Sequence, residues 1–148
     1  MARIPKDTST FKYYNANPKN RKTGDCVIRA ISKATGMSWD ETLDGLVESS
    51  HKHKYCIASP EGFGRYLESL GWEKQKQPRE YDNTKLTGEA FCWYLTRKYK
   101  DRKDKPSVVA NIGGHHTTCF VYSDDIRYKC LDTWDCTYKC VGNFWVKD

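Results

Sequence analysis

The chain reads as an α+β domain in which helices come first and antiparallel strands follow. Apolar residues recur at helical spacing between Cys26 and about Lys98, and most of these runs open with a capping residue. Beyond Lys105 the pattern changes to short runs rich in β-branched and aromatic residues. The 148 residues hold no internal repeat and no low-complexity segment, so one domain over 1–148 is expected. Segregated helices of this kind pack on one face of an antiparallel sheet.

Taken in order, residues 1–22 form an irregular basic N-terminal arm with Pro5, Pro18 and several asparagines. Phe11, Tyr13 and Tyr14 could tether it to the body. The first helix is expected over Cys26 to Thr35, with Val27, Ile28, Ile31 and Ala34 on one stripe and Gly36 as its stop. Ser38-Trp39-Asp40-Glu41 reads as a capping box for a second helix carrying Leu43, Leu46 and Val47 and ending near Ser50. His51 and His53 then fall in a polar, exposed connection. Ser59-Pro60 starts a third helix, with proline at the first helical position, and Gly71 ends it. Residues 72–86 are charged and irregular. Thr87 caps a fourth helix with a wide apolar face of Phe91, Trp93, Tyr94 and Leu95. Strands are expected at 107–112, at 116–122 and 126–132 as a hairpin around Ser123-Asp124-Asp125, and at Val141 to Val146.

The net charge of +6 concentrates in two basic runs, Lys12 to Lys22 and Arg97 to Lys105. Such runs can bind phosphate backbones, but solvated loops are their commoner role, so nucleic acid is a secondary possibility. No apolar run approaches the about 18 residues that span a bilayer, and Met1-Ala2-Arg3-Ile4-Pro5-Lys6 lacks the apolar core of a secretory signal. A cytoplasmic protein with no membrane partner is expected. The seven cysteines include no C-x-x-C pair, which favours reduced, mostly buried thiols over a structural zinc site. Cys130, Cys136 and Cys140 could still converge on a histidine.

The stretch that points to chemistry is Thr23-Gly24-Asp25-Cys26-Val27-Ile28-Arg29. Here a polar loop runs into a helix with a cysteine at the junction. Unpaired N–H groups and the positive dipole end of a helix favour a thiolate. Buried free cysteine is the competing reading. A base is available in His116, where a strand opens after Gly113-Gly114. With a loop at 123–125, Tyr122 lies opposite Ile126 and His116 lies directly opposite Asp132, close enough for an imidazole–carboxylate bond. The same register puts His116, Thr118, Phe120, Tyr128, Cys130 and Asp132 on the face expected to meet the helices, with His115 pointing away. Asp135 is the alternative acid if the strand bends early, and a histidine merely satisfied by a carboxylate is the bland alternative.

A cysteine at a helix start, a late histidine opening a strand and an acid ending the next strand together resemble the papain-like cysteine peptidases, from about residue 17 to the end. Gly24-Asp25-Cys26 resembles the Asp-Cys junction of the bacteriocin-processing peptidase branch, and Asp132-Thr133-Trp134 resembles the papain Asn-Ser-Trp segment. Gly24-Asp25-Cys26-Val27-Ile28-Arg29-Ala30 is also similar to a stretch of the ovarian-tumour type deubiquitinases. The whole chain resembles small superfamily members found in phages and bacteria; if it is phage-encoded, the expected location is the host cytoplasm.

The resemblance implies a papain-like fold and a triad in which Cys26 is nucleophile, His116 base and Asp132 the orienting acid, with Trp134 shielding their bond. It places an oxyanion donor six residues before the cysteine, which here is Asn20 rather than glutamine, with Asn17 three residues earlier and the backbone N–H groups of Asp25 and Cys26 nearby. It implies a peptide or protein substrate, with isopeptide-linked modifiers and cell-wall peptides also open, and requires no metal or organic cofactor. The other classes to weigh are an inactive binding protein on the same fold and a basic nucleic-acid or partner-binding module.

Overall fold

The computed structural model describes residues 3–123 and 126–148. Its described helices are α1 (Cys26–Thr35), α2 (Trp39–His53), α3 (Pro60–Ser69) and α4 (Gly88–Lys98). The strands are β1 (Phe11–Tyr13), β2 (Glu73–Gln75), β3 (Val108–Ile112), β4 (His116–Ser123), β5 (Arg127–Asp132) and β6 (Val141–Val146). They form one sheet in the order β1-β5-β4-β3-β6-β2.

Local chemistry sets the helix ends. Ser38 Oγ accepts the Glu41 N–H at 3.0 Å while Glu41 Oε1 accepts the Ser38 N–H at 3.3 Å, so the expected capping box closes. Ser59 and Thr87 cap α3 and α4 in the same way, through the N–H groups of Gly62 and Ala90. Gly36 ends α1 at a left-handed φ of 79°. Helix α2 runs past Ser50 to His53, because Lys54 takes up the left-handed cap and its N–H bonds the Ser50 carbonyl. The basic last turn His51-Lys52-His53 suits the negative dipole end, and both histidines are exposed there.

The layering differs from one helical face on an antiparallel sheet. Helices α1, α2 and α3 cover one face, packing Ile31, Leu46, Phe63 and Leu67 against Val109, Cys119 and Trp145. Helix α4 covers the opposite face, where Phe91, Cys92 and Leu95 meet Ala110, Phe120, Tyr128 and Cys130. Phe91 sits edge-on to Phe120 at 4.9 Å and to Phe144 at 5.1 Å. Strands buried on both faces read as near-continuous apolar runs, which is why the alternation in β3 and β6 does not mark a single inner face.

The sheet is also mixed. Strand β1, within the arm expected to be irregular, pairs parallel to β5, with Phe11 opposite Cys130 and fully buried. Strand β2, within the stretch expected to be irregular, pairs antiparallel to β6. Both are three-residue edge strands whose pairing comes from a distant neighbour and leaves no local period.

The hairpin register is two residues away from the expected one. Tyr122 lies opposite Tyr128, not Ile126, and Phe120 lies opposite Cys130. Ile126 belongs to the connection, at φ 63° with its N–H on the Ser123 carbonyl. Asp124 and Asp125 of the expected loop lie outside the described residues. An even slip keeps every side chain on its expected face, but that face meets α4 rather than α1.

Candidate active site

Cys26 is the first residue of α1, and Asp25 is its N-cap. The Asp25 side chain makes no capping bond. It accepts instead from Asn17 Nδ2 at 3.0 Å, Trp39 Nε1 at 2.9 Å and Arg29 at 3.2 Å. These three bonds tie the arm, α2 and α1 together and hold the helix start where the cysteine sits. The Cys26 side chain is half-buried.

His116 stands at the first position of β4, after a turn in which Gly113 and Gly114 take φ of 65° and 88°, a backbone only glycine adopts without strain. The β4–β5 ladder reaches Cys119 opposite Leu131 on this side, a register in which His116 does not lie directly opposite Asp132. The two meet on a diagonal, with His116 Nε2 2.6 Å from Asp132 Oδ2. Trp134 packs against the imidazole at 4.8 Å between ring centroids. Asp132 is buried, accepts the Thr133 N–H at 2.7 Å and pairs with Arg29 at 3.5 Å. Arg29 therefore joins the Asp25 and Asp132 carboxylates.

Cys26 comes from the layer on one side of the sheet and His116 from the opposite face; they meet at the end of β4. Burial alone would raise the Cys26 pKa, but hydrogen bonding to His116 and to the Thr117 backbone, with the charges of His116 and Arg29, brings it below the ordinary 9.0. Burial likewise disfavours charge on His116, yet its bonds to Asp132, Cys136 and Cys26 raise it to about 11. Around neutrality His116 is an imidazolium. With Nε2 on Asp132, Nδ1 is the nitrogen left to serve Cys26. The buried thiols of Cys92 and Cys119 shift the other way, up, chiefly through desolvation.

The other expected groups separate. Asn17 is buried and committed, its Nδ2 on Asp25 and its Oδ1 on the Lys19 N–H. Asn20 is exposed at a left-handed φ of 54°. The Asp25 N–H is taken by the Thr23 carbonyl, whereas the N–H of Cys26, at the first helical position, has no acceptor within its helix. Asp135 turns to its own loop and accepts from Thr137, away from His116. His115 is exposed in the turn.

Three members of the cluster escape sequence reasoning. Arg29 carries a partial signal, since it lies four residues from Asp25 on one helix face. Trp39 carries none, since it arrives from α2. Cys136, from the turn after β5, enters only as one of three cysteines that could converge on a histidine, and of these Cys130 and Cys136 touch while Cys140 is exposed. Cys136 is fully buried with its sulfur 3.9 Å from Asp132 Oδ2. All seven cysteines are free thiols. Among the described residues no helix is long and apolar enough to cross a membrane. Comparison with protein families, with curated proteins and with solved structures finds no match for this chain.

Proposed function

We propose that the protein is a thiol hydrolase of the papain-like type, cleaving an amide or isopeptide bond in a peptide or protein through a thioester intermediate. The observation that carries this reading is His116, bonded to the buried Asp132 at 2.6 Å and serving the thiol of Cys26 at the start of α1. Asp132 orients the ring and stabilises its charged form, and Arg29 holds Asp132 in turn.

In this reading the Cys26 thiolate attacks the carbonyl carbon, and the imidazolium gives its proton to the leaving amine as the C–N bond breaks. Neutral His116 then takes a proton from water, whose oxygen attacks the thioester and releases the acid and the thiol. The free Cys26 N–H is one donor for the oxyanion, and Asn20, exposed just before α1, is the side chain proposed to join it. Asn17 serves by anchoring Asp25.

The test is alkylation with iodoacetamide at pH 6, followed by mapping of the modified cysteines. Cys26 is expected to label fast and alone, and to lose that reactivity in His116→Ala. Slow, unselective labelling overturns the hydrolase reading in favour of a binding protein on the same fold. Acyl probes built on peptide, ubiquitin-like and muropeptide sequences then identify the substrate class.

A further inference from the structure

Cys136 has no task in the chemistry above, yet its sulfur is buried against the proposed triad. The donor atoms of His116, Asp132 and Cys136 all lie within 4.8 Å of one another. A fourth donor is at hand, because Cys130 Sγ is 3.7 Å from Cys136 Sγ. We propose that His116 Nε2, Asp132 Oδ2 and the sulfurs of Cys136 and Cys130 form a site for a thiophilic divalent cation, Zn²⁺ above all, whose binding silences Cys26.

The spacing of the two sulfurs suits such an ion. Two thiolates bound at about 2.3 Å to one tetrahedral zinc stand about 3.8 Å apart, and the two sulfurs already have nearly that spacing. The imidazole and carboxylate, at 2.6 Å, are closer than two ligands of one ion. The cation therefore enters by replacing the proton they share, and they ease apart around it. His116, Asp132 and Cys130 sit on paired strands and Cys136 in the turn after β5, so the adjustment falls on side-chain rotation and on that turn. Arg29 approaches Asp132 through Oδ1, leaving Oδ2 for the ion and offsetting the negative charge of two thiolates and a carboxylate.

On binding, each thiol and His116 Nε2 gives up a proton to solvent. Two sulfurs, a nitrogen and a single oxygen favour zinc over Mg²⁺ or Ca²⁺, which prefer all-oxygen sites. With the ion between them, Asp132 Oδ2 no longer bonds His116 Nε2, so the ring that contacts Cys26 loses the carboxylate that orients it. This consequence rests on the thiolate reading of Cys26; occupancy of the site does not.

The test uses the full chain with Cys26, Cys56 and Cys140 all changed to serine, titrated with Co²⁺. One equivalent is expected to give thiolate-to-cobalt charge transfer and tetrahedral visible bands, displaced by Zn²⁺ and not by Mg²⁺. Adding Cys136→Ser is expected to weaken binding by more than the about 10–100-fold that loss of an outer partner costs. Unchanged affinity in Cys136→Ser, or displacement by Mg²⁺, overturns the site. If circular dichroism shows that Cys136→Ser is unfolded, the triple-serine chain still decides, since absence of sulfur charge transfer there overturns the site by itself. Zinc should also suppress iodoacetamide labelling of Cys26 in the native chain. Metal bound with labelling unchanged overturns the silencing, whereas failure of the metal-free protein to label strikes the hydrolase reading instead.

Discussion

Arg29 binds two carboxylates at once, Asp25 at 3.2 Å within its own helix and Asp132 at 3.5 Å at the end of β5. All three side chains are nearly buried, so the guanidinium couples the helix that presents the cysteine to the strand that presents the acid. Its charge also favours the Cys26 thiolate, though less than the contact with His116 does.

Removing that cation leaves the buried Asp25 carboxylate with neutral donors only and Asp132 with His116 as its one charged partner among the described residues. Arg29→Ala is expected to cost about 3–5 kcal/mol in urea unfolding. Arg29→Lys should recover only part of this, because a point charge cannot fork to two acids. A midpoint unchanged in Arg29→Ala would show that the bridge carries no stability.

The pH dependence of alkylation reports the thiol directly. Its midpoint for Cys26 should lie below the ordinary 9.0, because the contacts with His116 and the Thr117 backbone and the charge of Arg29 together outweigh desolvation. In His116→Ala desolvation is left less opposed, so the midpoint should rise, and the rate at pH 6 should fall by about 10²-fold or more. A wild-type midpoint at or above 9.0 would contradict the ion pair.

His116 also makes stability depend on pH. Its pKa is raised from 6.5 to about 11 in the fold, so between these values the folded chain holds a proton that the unfolded chain has lost. The stabilisation is complete below 6.5 and disappears as pH rises through about 11. In Cys26→Ser, where the thiol no longer titrates, unfolding free energy should decline from pH 7 toward 10. Adding Asp132→Asn should flatten that decline, and an identical slope in both variants would remove Asp132 as its source.

The choice of acid can be read from two variants. Asp132→Ala is expected to lose most Cys26 reactivity, whereas Asp135→Ala, whose carboxylate faces Thr137, should label at nearly the native rate. The reverse result would reassign the acid.

Gly88 opens α4 against the turn that carries Cys136. A Cβ there would meet the Thr137 Cα at 2.8 Å, and the Gly88 and Glu89 N–H groups bond Lys139 and Thr137. Gly88→Ala should therefore cost about 1–3 kcal/mol, read as a lowered denaturation midpoint.

The helices were legible in the sequence because their signals are local. Ser38 with Glu41, Ser59 with Pro60, Thr87, and Gly36 each act within a turn of the backbone they cap. The alternation in β4 and β5 likewise sorted their side chains to the correct faces. It could not set the register, because that depended on Ile126 adopting a left-handed conformation within the connection. His116 and Asp132 nonetheless meet, since an even slip preserves the face and a long side chain spans the diagonal.

The sequence by itself thus determined where the helices begin and, apart from α2, where they end, where the main strands run, and that Cys26 heads a helix while His116 and Asp132 share a sheet face. Only the tertiary structure decided that α4 crosses to the other face and that β1 joins β5 in parallel. It alone brought Arg29 between two acids and set Cys136 beside His116. Caps and strand alternation are written within a few residues, whereas layer choice, edge pairing and the neighbours of a buried charge depend on distant segments meeting in space.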